Sequence, residues 1–256
     1  MLYVSALAVA LWCAPAWGTL VDRYSFTADG TDSVSGKNAT AEGGAGFSGG
    51  ALQLDGGAEY ATLPANILNG FTGLTIEVWF TWNTNTDQTW SRIFDFGSSQ
   101  SDYIYLTPDN GWSGTNTPGF ALKAVAGGGS ERDLTAPNTL PVGTETFMAI
   151  TIAGHEATLY VNGSAVASAD IIDPVSSLQP TTNNWLGQSE FANPYFNGSI
   201  DEFRIFNDAQ SSGQVAFDYQ NGPDDYVVPE PSTALLLLAG LCFGAIPYGI
   251  RRRKAG

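Results

Sequence analysis

The stretch that decides the fold is Leu74-Thr75-Ile76-Glu77-Val78-Trp79-Phe80. Positions 74, 76, 78 and 80 are apolar, and Glu77 and Trp79 fall between them. A period of two is the period of a β-strand, because successive side chains of a strand point to opposite faces of its sheet. The pattern therefore predicts a strand that turns one face to a core, with Glu77 and Trp79 on the other face.

Similar short runs occur on both sides of this stretch, separated by glycine, asparagine, aspartate and proline, the residues that form turns. The predicted strands cover 20–26, 51–54, 58–63, 74–82, 92–96, 103–106, 119–125, 146–153, 157–161 and 199–206. Asn162-Gly163 is a strong hairpin signal, with 164–169 as the returning strand. Helical periodicity is confined to one short piece, 212–219. The pattern predicts an all-β sandwich or barrel.

The first eighteen residues are typical of an export signal. The run 2–13 is apolar, and Ala14-Pro15-Ala16-Trp17-Gly18 offers small residues to a signal peptidase. Cleavage after Ala16 or after Gly18 would satisfy the small-x-small rule, and Gly18 is preferred. A transmembrane helix is the alternative, but the run is short for a span.

The other end of the chain carries a second apolar segment. Residues 232–250 contain no charge, and a helix of this length would extend about 28 Å, close to the thickness of a hydrocarbon core. The basic cluster 251–254 follows at once and is expected on the cytoplasmic side, which makes 251–256 a basic tail. The segment therefore predicts a membrane-spanning helix.

Pro229, Glu230 and Pro231 precede this apolar segment. A proline-glutamate-proline motif, an apolar span and a terminal basic cluster, in this order, resemble the PEP-CTERM sorting signal of bacterial envelope proteins. The resemblance implies that 223–231 is a linker that ends in the motif, and that a membrane-embedded, exosortase-type enzyme cleaves near it. The protein is then expected to be anchored in the membrane at least transiently, and later to reach the cell surface or the extracellular space.

The composition of the part between these two segments agrees with export. Ten Lys and Arg, four of them in the terminal cluster, leave six against 25 Asp and Glu, a formal net charge of −19. Such a surface repels nucleic acid and anionic lipid and attracts divalent cations. Cys13 and Cys242 both lie in the apolar end segments, so the part between them has no disulfide and depends on its core for stability. No nucleic-acid partner is expected.

Several runs taken together resemble the LamG-like branch of the concanavalin A-like lectin/glucanase jelly rolls. They are 52–64, 71–79, 157–163, 184–187 and 195–206, the last reading Tyr-Phe-Asn-Gly-Ser-Ile-Asp-Glu-Phe-Arg-Ile-Phe. The resemblance covers the whole exported part and implies one domain, 19–222. Its fold would be an all-β jelly-roll sandwich of two antiparallel sheets, one convex and one concave.

The acids of the sequence do not reproduce the catalytic pattern of the related glucanases, in which alternate carboxylates on one strand share a cleft. Asp201 and Glu202 are adjacent and so lie on opposite faces of their strand, and Glu77 stands alone. The single histidine, His155, falls in a predicted turn. One histidine and no cysteine in the exported part exclude Cys–His catalysis and a Cys/His zinc cluster. We therefore expect a protein that is not an enzyme.

The resemblance implies one structural calcium ion that joins an N-terminal loop to the closing strand. Asp32, in Asp32-Ser-Val-Ser-Gly-Lys-Asn38, and Asp201 match the positions of its ligands. Carboxylates and loop carbonyls are the oxygen ligands that calcium prefers. The alternative is that Asp32 starts a turn and Asp201 accepts hydrogen bonds from loop amides.

Lectins of this fold stack aromatic rings on the faces of sugars and hold the hydroxyls with polar side chains. Aromatic residues in loop-like settings are Trp90, Trp112, Trp185 and Tyr195, of which Trp112, Trp185 and Tyr195 are the predicted ligand-binding residues. The sequence thus predicts an exported module that binds polysaccharide or serves adhesion or structure. The alternative is a glycan-active hydrolase or lyase with a divergent acid pair.

Overall fold

The computed structural model describes residues 18–112, 116–178 and 180–226. The strands in these ranges are β1 (Leu20–Tyr24), β2 (Thr40–Glu42), β3 (Gly46–Ser48), β4 (Ala51–Asp55), β5 (Tyr60–Leu63), β6 (Gly73–Trp82), β7 (Phe94–Ser99), β8 (Asp102–Thr107), β9 (Gly119–Lys123), β10 (Arg132–Thr135), β11 (Glu145–Ala153), β12 (Glu156–Val161), β13 (Ser164–Asp170), β14 (Asn183–Leu186) and β15 (Asn197–Phe206). Two short 3₁₀ helices, Val125–Gly127 and Val175–Ser177, and the α-helix α1 (Ser212–Asn221) complete the elements.

The strands form two antiparallel sheets. The eight-stranded sheet has the order β13-β12-β11-β6-β15-β4-β3, with β1 also paired to β15, and the seven-stranded sheet has the order β10-β9-β8-β7-β14-β5-β2. Apolar side chains from both sheets contribute to one large core cluster. The expected all-β sandwich of two antiparallel sheets is therefore confirmed, and its architecture is consistent with a jelly roll.

Strand β6 lies at the centre of the eight-stranded sheet, between β11 and β15. Leu74, Ile76, Val78 and Phe80 belong to the main core, whereas Trp79 belongs to a separate buried cluster on the other face. The alternation that predicts this strand thus assigns its two faces correctly. It does not show that the second face is covered as well.

The cover of that second face is helix α1. Ser211 caps the helix: its hydroxyl accepts a hydrogen bond from the backbone N–H of Gln214, and the Gln214 side chain accepts one from the backbone N–H of Ser211. Val215 packs into the cluster with Trp79 and Phe147. The helix thus covers the outer face of the eight-stranded sheet around Trp79.

Each of the ten predicted strands overlaps an observed strand, and the predicted hairpin and helix are present. The short strands β2, β3, β10 and β14 are additional. No helix within the described ranges is long and apolar enough to cross a membrane. The predicted span 232–250, the basic tail 251–256, the motif 229–231 and residues 1–17 of the predicted export signal lie outside the described residues.

Candidate functional site

The outer face of the seven-stranded sheet carries two adjacent tyrosines because β8 alternates. Ile104 and Leu106 point into the main core, and Tyr103 and Tyr105 point outward. Their rings stack with centroids 5.7 Å apart. Around them lies a depression of about 210 Å³, here called the aromatic groove, which is lined by Trp90, Arg92, Tyr103, Tyr105, Glu131, Phe191 and Asn193.

One wall of the aromatic groove is formed by Trp90, which a second tryptophan supports. Trp112 packs edge-on against Trp90 with ring centroids 5.5 Å apart, and it is 62% exposed. Gly111 makes this approach possible, because a Cβ at that position would lie 2.5 Å from Nε1 of Trp90. The backbone N–H of Trp90 donates a hydrogen bond to the carbonyl of Asp109 at 2.8 Å, which ties the two loops together.

The backbone of Trp90 has a φ of +69°. A left-handed conformation is unusual for a bulky side chain, and such strain is concentrated at functional sites because the surrounding contacts must hold it. Here the contacts are those to Asp109 and a hydrogen bond of 3.0 Å that Arg92 donates to the Trp90 carbonyl. The wall is thus fixed in its orientation before any ligand arrives.

The opposite wall comes from the loop between β14 and β15. Phe191 packs edge-on against Tyr103 with ring centroids 5.5 Å apart. Asn193 donates a hydrogen bond from Nδ2 to the hydroxyl of Ser189 at 3.1 Å, and the backbone N–H of Phe191 donates to the same oxygen at 3.1 Å. Ser189 therefore holds this wall together.

The floor of the aromatic groove is polar. The Arg92 guanidinium lies 3.5 Å from the centroid of the Tyr105 ring, a cation–π contact, and Nε of Arg92 lies 3.6 Å from Oδ2 of Asp95. The Tyr103 hydroxyl donates a hydrogen bond to Glu131. Burial and the neighbouring Glu131 carboxylate raise the pKa of Tyr103, so its hydroxyl stays protonated and continues to donate to Glu131.

Asp95 lies directly beneath this floor and is fully buried. Its Oδ2 accepts hydrogen bonds from the backbone N–H of Glu190 at 3.0 Å and from the Ser189 hydroxyl at 3.3 Å. Burial, opposed by the charge of Arg92, raises the pKa of Asp95 to about 7. A carboxyl group in this position changes its charge near neutral pH.

The predicted ligand-binding residues are divided among three places. Trp112 packs on Trp90, which lines the aromatic groove, but Trp112 is not itself a lining residue. Trp185 is paired in register with Asp95 and lies on the same outer face, since its neighbour Leu186 points into the core. Tyr195 packs against Tyr60 with ring centroids 6.2 Å apart and does not line the groove.

Sequence reasoning missed the floor and one wall of the groove. The alternation Tyr103-Ile104-Tyr105 is a signal that would have indicated an outward-facing pair of rings. Arg92, Phe191 and Asn193 gave no comparable signal, because each reaches the groove from a loop or strand end whose path depends on contacts distant in sequence.

Asp32 is held by donors of its own loop. Its Oδ1 accepts from the backbone N–H groups of Arg23 and Val34, and its Oδ2 from those of Ser35 and Lys37 and from the Ser35 hydroxyl, all within 2.6–3.0 Å. Despite its burial, these bonds lower the pKa of Asp32 to about 2. Donors thus surround both oxygens, which does not fit a calcium ligand well.

Asp201 lies in a different setting. Burial raises its pKa to about 7, with Glu145 as the next cause and Asp224 as a further one. Within the ranges that the structure describes, no group of three or more His, Cys, Asp or Glu is arranged to hold a metal ion. The predicted calcium site at Asp32 and Asp201 stays a prediction.

One sequence pattern for a nucleophilic serine occurs in the chain, Gly46-Phe47-Ser48-Gly49-Gly50. In α/β-hydrolases this pattern forms a sharp turn from a strand to a helix. Here it lies on β3 and the turn to β4, with which β3 forms an antiparallel hairpin, so its surroundings are not those of such a nucleophile. His155 lies exposed in the turn between β11 and β12, as the sequence predicts.

Two family models match the sequence. The model described as the concanavalin A-like lectin/glucanases superfamily matches residues 55–216, and that of the PEP-CTERM protein-sorting motif matches residues 227–254. No curated protein matches the chain.

Solved structures share the fold at low sequence identity. Domain 4 of AbnA, an extracellular arabinanase from Geobacillus stearothermophilus solved in complex with arabinotriose, aligns with a TM-score of 0.68 and 21% identity over 79% of this chain and 98% of that one. The CBM40 of Ruminococcus gnavus IT-sialidase, bound to α2,3-sialyllactose, aligns with a TM-score of 0.50 and 14% identity over 65% and 95%. The receptor-binding domain of a botulinum neurotoxin mosaic of serotypes C and D aligns with a TM-score of 0.61 and 16% identity over 79% and 50%.

Proposed function

The chain belongs to the concanavalin A-like lectin/glucanase superfamily and carries a PEP-CTERM sorting motif, and we propose that it is an exported module that binds a polysaccharide in the aromatic groove. The observation that carries this proposal is the groove itself. Trp90 and Phe191 form its walls, and the polar groups of Arg92, Tyr103 and Asn193 line it. The exposed ring of Trp112 packs on Trp90 beside the groove.

This arrangement matches what a sugar offers. A pyranose or furanose ring has apolar C–H faces, which pack against aromatic rings, and hydroxyl groups at its edge, which exchange hydrogen bonds with fixed polar groups. Two solved structures of the same fold hold sugars, arabinotriose in one and α2,3-sialyllactose in the other. They support sugar as the class of ligand, while the identity of the sugar has to come from experiment.

The number of acidic side chains in the groove supports binding rather than hydrolysis. Glycosidases of the common types place two carboxyl groups on either side of the bond that they cleave. Among the residues that line the aromatic groove, Glu131 supplies the only carboxylate, and the Tyr103 hydroxyl donates to it. Asp95 lies close by but is fully buried beneath the floor.

A glycan array followed by calorimetry tests the proposal. We expect Trp90→Ala and Trp112→Ala each to weaken binding of the best glycan about tenfold, the size of a lost stacking contact in a partly exposed site. Tyr195→Ala is the matched control, because it removes a half-buried aromatic ring outside the groove and should leave the affinity unchanged. Full affinity in both tryptophan variants would refute the proposed site.

The same glycans test the alternative activity. Incubation with the protein should release no reducing ends or unsaturated products if the groove only binds. Measurable release that is lost in Glu131→Gln would instead establish a hydrolase or lyase. If no glycan binds at protein concentrations up to about 1 mM, the domain has no sugar site, and the adhesive or structural role is the one that remains.

We propose further that Pro229, Glu230 and Pro231 are processed by an exosortase-type enzyme, so that the domain is released from a transient membrane anchor to the cell surface or the extracellular space. The match of the sorting motif to 227–254 supports this. Mass spectrometry of the C-terminus of the protein from its native cells is the direct test. A C-terminus at Gly256 in the surface-exposed protein would contradict processing.

A further inference from the structure

Asp95 contacts both the floor and one wall of the aromatic groove. On one side, its Oδ2 lies 3.6 Å from Nε of Arg92, whose guanidinium stacks on Tyr105. On the other side, the same oxygen accepts from the Ser189 hydroxyl and from the backbone N–H of Glu190. A single carboxylate oxygen thus joins two elements that approach the groove from different parts of the chain.

The link continues from Ser189 to the wall. The Ser189 hydroxyl accepts hydrogen bonds from the backbone N–H of Phe191 and from Nδ2 of Asn193, both at 3.1 Å. The Ser189 hydroxyl accepts these two hydrogen bonds and donates its single proton to Asp95. Because that donation sets the orientation of the hydroxyl, it also fixes the geometry of the two bonds that the hydroxyl accepts. The position of the wall therefore depends on the acceptor strength of Asp95.

The polar groups around Asp95 are not fully compensated. Oδ1 of Asp95 and Nε of Arg92 are both buried and have no hydrogen-bond partner within the described part of the chain. A buried charge whose hydrogen bonding is incomplete costs free energy. Protonation of Asp95 removes that charge and makes the carboxyl group a weaker hydrogen-bond acceptor for its neighbours.

We propose that Asp95 is a positioning residue that couples the floor of the aromatic groove to the wall formed by Phe191 and Asn193, so that protonation of this one carboxyl loosens the wall and weakens sugar binding. The second half of this statement rests on the proposed function. The coupling itself does not, because it concerns contacts within the protein.

The charged and titratable groups that face Asp95 come from every neighbouring element. They are Arg92 before β7, Tyr105 on β8 and Glu190 after β14, with Glu131 and Asp133 farther away beside Tyr105. Burial is the largest cause of the raised pKa of Asp95, Arg92 opposes it, and Glu190 adds to it. The change in charge is therefore expected between about pH 6 and pH 8.

A titration followed by nuclear magnetic resonance tests the coupling without any sugar. In the full chain in detergent, with ¹⁵N-labelled Phe and Asn, we expect the Phe191 and Asn193 signals to shift with a common midpoint near pH 7. In Asp95→Asn these shifts should disappear, because the amide does not titrate. Signals of Phe191 and Asn193 that are independent of pH in the wild-type chain, or that titrate unchanged in Asp95→Asn, would overturn the proposal.

A second variant protects the test against misfolding of Asp95→Asn. Ser189→Ala leaves the carboxyl group in place and removes its link to the wall. Titration of the Arg92 Nε–H signal near pH 7 should persist in this variant, while the Phe191 and Asn193 signals should lose it. If all three signals keep their common midpoint, Ser189 does not carry the coupling and the proposal is wrong.

Arabinotriose then serves as the probe for the effect on binding. We expect its affinity to fall about threefold from pH 8 to pH 6 in the wild-type chain, the effect of one weakened hydrogen bond, and to stay constant in Asp95→Asn. A common midpoint without binding of arabinotriose or any array glycan would refute the proposed function and leave the coupling standing. Binding that is equally tight at both pH values would refute the coupling to the ligand.

Discussion

The outer faces of the two sheets carry clusters built from the same parts. On the eight-stranded sheet, the Arg204 guanidinium lies 4.5 Å from the centroid of the Trp79 ring, and its Nη1 lies 3.7 Å from Oε2 of Glu77. On the seven-stranded sheet, Arg92 lies over Tyr105 and beside Asp95 at comparable distances. In each case an arginine stacks on an aromatic ring next to a carboxyl group whose pKa is raised by burial.

The two clusters differ in what covers them. Helix α1 and residues 222–226 close the first, and the carbonyl oxygens of Gly222, Pro223 and Asp224 accept hydrogen bonds from Arg23 and Arg204. The second cluster lies at the bottom of an open groove. Similar chemistry therefore stabilises the fold where the chain itself supplies the cover, and remains available to a ligand where it does not.

The largest expected effect tests whether the covered cluster is structural. Glu202 pairs with Arg23 at 2.5 Å and with Arg204 at 2.6 Å. We expect Glu202→Ala to lower the free energy of unfolding by about 3–5 kcal/mol, because it leaves buried positive charge without its partner. Urea unfolding measures this. Glu131→Gln, at the open groove, is the comparison: its amide oxygen still accepts from the Tyr103 hydroxyl, so the unfolding free energy should change by no more than about 0.5 kcal/mol.

The cover itself is tested by Tyr226. Its ring lies 5.3 Å from the Arg204 guanidinium and 6.0 Å from the Phe206 ring, and burial raises the pKa of its hydroxyl to about 12. We expect Tyr226→Ala to cost about 1–2 kcal/mol by the loss of a partly desolvated cation–π contact and an aromatic pair. Tyr226→Phe should retain most of that stability, and equal losses in both variants would point to the hydroxyl instead.

The buried carboxyl groups of the two clusters should respond differently to pH. Because the folded-state pKa of Asp95 is raised, its contribution to stability is present at low pH and is lost as the pH rises through about 7. Between pH 6 and pH 8 wild type loses this contribution, which is on the order of 1 kcal/mol, and Asp95→Asn does not. The pKa of Glu77 is raised well above its usual range by burial and by Asp218.

Glu77→Gln is therefore the matched variant for this measurement. An amide resembles the protonated acid in shape and charge, so the variant should show the same dependence of stability on pH as wild type over this interval. Urea unfolding at pH 6, 7 and 8 for the three proteins provides the data. A pH dependence that disappears in Glu77→Gln and persists in Asp95→Asn would mean that Glu77, and not Asp95, is the carboxyl group that titrates in this interval.

The sequence was sufficient for the faces of the long strands but not for their covers. In β6 the alternation of residues 74–80 separates core from outer face, yet Trp79 is buried by a helix that begins more than 130 residues later. Strands of three or four residues, such as β2, β3, β10 and β14, are too short for a period of two to be recognised. These features depend on pairing with distant strands rather than on local pattern.

The candidate site was predicted in part for the same reason. Trp112, which packs on the groove residue Trp90, was predicted because it stands in a polar, glycine-containing loop. Phe191 and Asn193 were missed because their position depends on Ser189 and Asp95, which are 94 residues apart in the chain. Tyr195 follows the groove residue Asn193 closely in sequence, but its ring packs on Tyr60 instead.

The smallest expected effect is the shift in melting temperature on removal of calcium, and it concerns Asp32, in the loop that follows β1 of the eight-stranded sheet. Four backbone N–H groups and a hydroxyl already donate to Asp32, so we expect Asp32→Ala to cost about 1–3 kcal/mol with or without a chelator, since buried donors lose their acceptor. If Asp32 and Asp201 also hold the predicted ion, a chelator lowers the melting temperature of wild type, and Asp201→Ala abolishes that response. Because the amides already balance the charge of Asp32, the shift with chelator should be smaller than the loss in Asp32→Ala. An identical melting temperature with and without chelator would mean that hydrogen-bond donors of the protein alone hold Asp32. The covered cluster is held in the same way, because Glu202 and the carbonyls of 222–224 bind Arg23 and Arg204 directly.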